Sequence, residues 1–307
     1  MSGDARACRQ GRGAAASLVL IALLLQAPTA TEVGRVTAVA WPGQERLATA
    51  VAEIADHATG FPGIGPLPDR PIRIILAPTR ELYDSLTRGR LPLWSEGAAF
   101  PEAGTIVLLT DGPTVQRSNA LRHELAHLAL RWYAGRRAPL WFEEGYAAVA
   151  AREWDRFDAL QLNWQLARGV RMTLDEVDRA LRGARADAQT GYALAATAVL
   201  LLERWGGERG LEPLLTNLAR GASFDAAVRD TYHITAGDFE ERWQRDVASR
   251  YGWLAWAGAM GFFWLAIGAI LAALVVLRRR RQREKRAALA ARDAEESQVL
   301  DDLGINE

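Results

Sequence analysis

An uncharged apolar segment near the C-terminus constrains this 307-residue chain more than any other feature. Residues 253–277 read WLAWAGAMGFFWLAIGAILAALVVL, a length that can span a bilayer as a helix. Tryptophans at its start suit the headgroup interface, and the four arginines that follow at 278–281 favour the cytoplasmic side. The alternative is a buried core helix, which requires a globular domain large enough to cover it on all sides. The sequence therefore predicts one transmembrane helix at 253–277 and a basic cytoplasmic tail at 278–307.

A second apolar run makes residues 1–30 typical of a signal peptide. Arginines precede an apolar stretch at 14–25, and small residues follow before a cleavage point after Ala30. Pro28 makes this cleavage signal imperfect, so an uncleaved N-terminal anchor is the alternative. Both apolar segments predict the same topology, in which residues 31–252 form a domain on the extracytoplasmic (periplasmic or cell-surface) side of the cell membrane.

Charge and cysteine content limit what this domain can bind and how it is held together. Basic and acidic residues are equal in number, at 37 each, but cationic charge is concentrated at 278–292. The middle of the chain is mildly acidic, which argues against a nucleic-acid partner. The single cysteine, Cys8, lies in the predicted signal peptide, so the mature domain depends on its core or on a metal.

Within residues 31–252, strand patterns come first and helix patterns follow. Strands are predicted at 35–41, 72–77 and 104–110, and helices at 44–58, 79–87, 118–134, 143–167, 187–205, 208–219 and 235–249. Strands that precede helices in this way favour an α+β fold. We therefore expect a small N-terminal sheet on one side of a helical C-terminal part.

The motif HELAH at 123–127 lies inside one of these predicted helices. Residues four apart share a helix face, so His123 and His127 can present two imidazole nitrogens to one metal ion. Glu124 is rotated by about 100° from His123, where it can take a proton from a zinc-activated water. The alternative is an ordinary core helix, because so short a pattern also occurs by chance.

A catalytic zinc needs a third protein ligand and an open fourth position. The stretch PLWFEEGYAAVAARE at 139–153 offers an acidic pair, Glu143 and Glu144, at the start of the next predicted helix. A short loop can turn this helix back on the first and place one carboxylate beside the two histidines. The alternative is that both glutamates only stabilise a helix N-terminus through their negative charge.

Tyr192 begins a long apolar helix pattern, YALAATAVLLLERWGG, that ends in a glycine pair. A tyrosine hydroxyl near a metal can donate a hydrogen bond to the oxyanion of a tetrahedral intermediate. The alternative is a packing role with the hydroxyl at the surface.

Together these motifs resemble the gluzincins, the clan of thermolysin and aminopeptidase N, and most closely its compact bacterial peptidase MA-like domains. HELAH followed by WFEEGYA is similar to the zinc motifs of that clan, whose second motif is W-x-x-E-G-[FY]-A. The resemblance extends over about residues 33–250. It implies that Glu144 is the third zinc ligand, Glu124 the general base and Tyr192 the oxyanion donor. It also implies that Gly145 leaves space for the two metal-binding helices to approach.

The chain departs from the aminopeptidase pattern in its substrate-anchoring region. The Gly-x-Met-Glu-Asn motif of those enzymes has no counterpart, and GAAFPEAGTIVLL at 97–109 occupies roughly its place, with Glu102 as a stand-in. The interval between His127 and Glu144 is slightly shorter, and the large flanking domains are absent. The resemblance therefore implies the zinc site but not amino-terminal exopeptidase specificity.

The sequence thus predicts a membrane-anchored zinc metallopeptidase with a zincin-like α+β domain. Zn²⁺ is held by His123, His127 and Glu144, and the partners are a peptide or protein substrate and the membrane. Glu143 is expected to be solvated or to support the ligands. Arg122 is expected to be exposed, with a contact to substrate as the alternative. The first alternative is a catalytically inactive, zinc-stabilised envelope domain that binds protein partners, although a structural site fills the fourth position with another residue. The second is a membrane-tethered scaffold without metal.

Overall fold

A computed structural model of the protein describes residues 27–89, 91–92, 94–111, 114–135, 138–152, 162–163, 171–251, 264–283 and 286. The chain divides into two units, Met1–Tyr251 and Gly252–Glu307. Residues 1–26 of the predicted signal peptide lie outside the described part, as do residues 253–263 of the predicted transmembrane segment.

The described part of the first unit contains a five-stranded sheet and nine α-helices. The strands are β1 (Thr29–Val33), β2 (Val36–Ala40), β3 (Ile72–Ala77), β4 (Gly97–Phe100) and β5 (Thr105–Leu109). The helices are α1 (Glu45–Asp56), α2 (Arg80–Leu86), α3 (Thr114–Ala134), α4 (Leu140–Ala151), α5 (Leu174–Leu181), α6 (Arg185–Trp205), α7 (Glu212–Ala219), α8 (Phe224–Tyr232) and α9 (Ala236–Tyr251). The predicted α+β fold, with a small N-terminal sheet and a mainly helical remainder, is confirmed.

The sheet has the strand order β1-β2-β3-β5-β4. Strands β2, β3 and β5 are parallel, while β1 and β4 pair antiparallel at the two ends. Alternate side chains of β3 and β5 enter the main core that the sheet shares with the helices. The side chains between them form a smaller cluster with α2 on the opposite face. Because Ala98 belongs to this smaller cluster, its neighbours Gly97 and Ala99 face the helical side, where α3 packs against β4.

Several elements differ from the sequence prediction. Strands β1 and β4 and helices α5 and α8 were not predicted, although Thr173 and Glu176 form a capping box at the start of α5. The helix predicted at 143–167 begins at Leu140 and ends at Ala151, where Arg152 adopts a left-handed conformation with φ of 57°. The residues of that predicted helix from 153 onward lie outside the described part, apart from 162–163.

In the second unit the structure describes a helix over 264–283. Large apolar side chains along its first part are exposed, among them Trp264, Leu271 and Leu277. Among the described residues, no helix has both the length and the apolar character needed to cross a membrane.

Candidate metal centre

Three of the predicted site residues converge between α3 and α4. His123 and His127 lie one turn apart on α3, with ring centroids 5.0 Å from each other. The Oε2 atom of Glu144 on α4 lies 3.4 Å from Nε2 of His123 and 3.8 Å from Nε2 of His127. One ligand atom from each residue lies within 4.8 Å of the other two, so this cluster could hold a metal ion.

The distances and the donor types fit zinc. Zinc binds imidazole nitrogen and carboxylate oxygen at about 2.0–2.2 Å, so ligand atoms in a tetrahedral site are about 3.3–3.6 Å apart. Both measured separations from Glu144 lie in or near this range. Two histidines and one glutamate form the donor set of catalytic zinc sites that keep the fourth position open.

The start of α4 determines which glutamate faces the histidines. The backbone N–H of Trp141 donates a hydrogen bond to Oδ1 of Asp178 on α5 at 2.6 Å, and Trp141 and Phe142 are buried in the core. Glu143 accepts a hydrogen bond from the backbone N–H of Ala138 at 3.1 Å and so stabilises the turn before α4. Neighbouring helical residues point about 100° apart, which directs Glu144 toward the histidines.

Gly145 allows α4 to pack closely on α6, which corrects the expectation that it makes room for α3. A Cβ atom at position 145 would lie 2.5 Å from the carbonyl oxygen of Ala195 and 2.9 Å from Cγ2 of Val199. Both of these residues belong to α6. Tyr192 lies one turn before Ala195, so the close packing of α4 and α6 brings its side chain to the metal cluster.

Tyr192 contacts the cluster directly, although it lies in the third turn of α6 and not at its start. Its hydroxyl is hydrogen bonded to the Glu144 carboxylate. Its ring packs edge-on against His123 and Trp94, with centroid distances of 6.2 and 6.0 Å. Trp94 was not predicted to lie near the site, and no motif around it in the sequence indicates this position.

The environment of Glu144 favours its ionised form. Burial raises the pKa of Glu144, but the charges of His127 and His123 and hydrogen bonds from His123 and Tyr192 outweigh this effect and lower it to about 2. Glu144 is therefore a carboxylate at neutral pH, the form that binds a metal.

Glu124 is buried between α3 and β4, with 8% of its surface exposed. A Cβ atom at Gly97 would lie 2.6 Å from Oε1 of Glu124, so the carboxylate packs directly on the backbone of this glycine. Burial raises the pKa of the neighbouring Tyr83, and the negative charge of Glu124 adds to the increase. Among the described residues, the metal cluster consists of His123, His127 and Glu144. Glu124 follows His123 in the chain and is not one of these three.

Arg122 and Glu102, for which the sequence led to other expectations, both form contacts within the fold. Arg122, expected to be exposed, donates hydrogen bonds to the carbonyl oxygens of Ala150, Thr59 and Gly60, and so links α3 to the end of α4 and to the loop after α1. Glu102 forms a 3.2 Å ion pair with Arg131 at the surface.

Comparison with known proteins identifies the family. The family model described as Peptidase MA superfamily matches residues 61–249, more than half of the chain. A search of curated proteins finds no match. The matched region contains β4, the three residues of the metal cluster, Glu124 and Tyr192. The chain therefore belongs to the Peptidase MA superfamily and carries a metallopeptidase-like domain.

Proposed function

We propose that this protein is a membrane-anchored zinc peptidase of the gluzincin type, whose zincin-like domain hydrolyses peptide bonds on the extracytoplasmic side. The observation that carries the proposal is the convergence of His123, His127 and Glu144, whose ligand atoms lie within 4.8 Å of one another. The buried carboxylate of Glu124 and the hydroxyl of Tyr192 lie beside this cluster, and membership of the superfamily supports a metallopeptidase reaction.

Each residue of the site has a distinct role in this proposal. The two histidines and Glu144 would hold the zinc, which would supply a Lewis acid for the scissile carbonyl and would lower the pKa of a water molecule to about 7. Glu124 accepts the proton of this water and passes it to the leaving amine. Tyr192 donates a hydrogen bond to the developing oxyanion, and His123, which touches its ring, helps to hold it in place.

The proposal is tested by peptide-library cleavage with the purified full-length chain, in parallel with its zinc content. We expect cleavage to stop when the metal is chelated and to return when zinc is added back. Stoichiometric zinc without cleavage of any peptide would favour the inactive, zinc-stabilised domain. A chain that binds no zinc would contradict the metal site itself.

Replacement of Tyr192 by Phe tests its role as oxyanion donor. We expect kcat to fall by about 10²–10³-fold, because an oxyanion donor contributes about 2.7–4 kcal/mol to transition-state stabilisation. Zinc content is expected to remain, since the three ligands are intact. Tyr133→Phe is a matched control, because the Tyr133 hydroxyl faces Thr216 on α7. Unchanged turnover in Tyr192→Phe would leave Tyr192 with a packing role alone.

The membrane part of the proposal is tested by the topology of the C-terminus. The uncharged sequence of 253–277, the exposed apolar side chains at 264–277 and the arginines at 278–281 support an anchor with its tail inside. We expect a reporter fused after Arg286 to be active only in the cytoplasm. Removal of residues 253–277 is expected to release the first unit from the membrane fraction. Activity of the fused reporter only on the outer side would reverse the orientation.

A further inference from the structure

We propose that Gly97 is a positioning residue for Glu124, because its missing side chain leaves the space that the Glu124 side chain occupies. The inference rests on the proposed function for the role of Glu124 as proton acceptor. The packing of the two residues is a property of the protein itself, and it can be measured without any substrate.

The space at Gly97 is filled by several atoms of Glu124. A Cβ atom at position 97 would lie 2.6 Å from Oε1, 2.7 Å from Cγ and 2.9 Å from Cδ of Glu124. Real contacts of a Cβ atom are longer than these distances, so an added methyl group requires a shift of the glutamate stem as well as of its tip. Gly97 does not have a positive φ, so its backbone conformation does not require glycine. The space that Glu124 needs is therefore the reason for glycine at this position.

The backbone of Gly97 cannot easily move away from Glu124. Gly97 lies opposite Leu108 in the β4–β5 ladder. Its carbonyl oxygen lies 2.6 Å from the hydroxyl of Tyr83 and 2.8 Å from the hydroxyl of Ser95, and a carbonyl oxygen can accept both hydrogen bonds. Tyr83 is completely buried, so its hydroxyl is fixed by the packing of α2 on the sheet.

Helix α3 is also held at a fixed distance from this segment. Two turns beyond Glu124, the indole N–H of Trp132 donates a 2.8 Å hydrogen bond to the carbonyl oxygen of Pro101, which follows β4. Arg131 pairs with Glu102 in the same segment. Because neither α3 nor β4 can retreat freely, a methyl group at Gly97 displaces the Glu124 carboxylate. A misplacement of about 1 Å in a catalytic group can reduce turnover by about 10²-fold.

The first test measures catalysis by Gly97→Ala. We expect kcat to fall by about 10²-fold, with zinc content little changed, because Glu124 is not one of the three residues of the metal cluster. Gly237→Ala is the matched control, since a Cβ atom there would meet only the Thr235 hydroxyl, at 3.8 Å. Full turnover by Gly97→Ala would overturn the proposal.

The second test measures packing by thermal unfolding of the metal-free protein in a double-mutant cycle. We expect Gly97→Ala to lower the Tm by several degrees in the wild-type background and to have little effect in the Glu124→Ala background, where the clashing side chain is absent. If Gly97→Ala fails to fold, the variant that carries both Gly97→Ala and Glu124→Ala is examined. Recovery of folding in this double variant would show that the clash with Glu124 is the cause. Equal losses of Tm in both backgrounds, or a double variant that also fails to fold, would show that Gly97 is required for another reason. If the wild-type chain cleaves no peptide, the proposed function fails, while this cycle still decides whether Gly97 determines the position of Glu124.

Discussion

Glu124→Gln is expected to abolish peptide hydrolysis while zinc stays bound. Glutamine has nearly the same volume, so it can keep the buried position between α3 and β4 that Glu124 occupies on Gly97. Its amide cannot accept a proton at neutral pH, and loss of a general base alone reduces the rate by about 10²–10⁴-fold. The metal cluster does not include Glu124, so the two histidines and Glu144 keep their geometry.

The measurement is kcat/KM on the best library peptide, together with metal analysis of the same preparation. Glu143→Gln is the control, because it makes the same chemical change at the residue before the metal ligand Glu144. Its amide oxygen can still accept the hydrogen bond from the backbone N–H of Ala138. Loss of zinc in Glu124→Gln would show that Glu124 serves the metal and not the water. Retained hydrolysis would mean that another group accepts the proton.

The histidine pair is the part of the site that the sequence predicts most directly. The positions of His123 and His127 follow from local helix geometry alone, because residues four apart lie on the same face. Glu144 depends on tertiary structure: the acidic pair left two candidates, and the resemblance to the gluzincins selected one of them. The structure supplies the physical reason for that choice, since Glu143 is engaged with the turn before α4 while Glu144 faces the histidines.

The contacts that position Glu124 could not be predicted from the sequence. Strand β4 consists of Gly97, two alanines and Phe100, so it lacks the β-branched residues that indicate a strand, and it forms because β5 is available for pairing. A small residue such as Gly145 shows that some helix approaches closely, but its neighbours in sequence do not reveal which one. For the same reason Arg122 was expected to be exposed, whereas its hydrogen-bond acceptors come from distant parts of the chain.

The adjacent glutamates allow the metal site to be tested with a minimal change of position. Glu144 contributes a carboxylate oxygen 3.4 and 3.8 Å from the two imidazole nitrogens, while Glu143 stabilises the turn at Ala138. Alanine at position 144 leaves two of the three ligands found among the described residues, whereas a catalytic zinc site uses three. Alanine at position 143 removes the hydrogen bond from Ala138, and one such bond contributes about 1 kcal/mol to the free energy of unfolding.

We therefore expect Glu144→Ala to lose zinc and activity together and Glu143→Ala to retain both in large part. The loss of zinc affinity in Glu144→Ala should exceed the roughly 10–100-fold that follows removal of a residue that only orients a ligand. Glu143→Ala should lower the Tm by about 2–4 °C, as expected for about 1 kcal/mol in a domain of this size. Zinc stoichiometry and thermal unfolding of the two variants, measured side by side, distinguish a ligand from a turn-stabilising residue. The reverse pattern would mean that the motif alignment is displaced by one residue and that the shorter interval after His127 has changed the ligand.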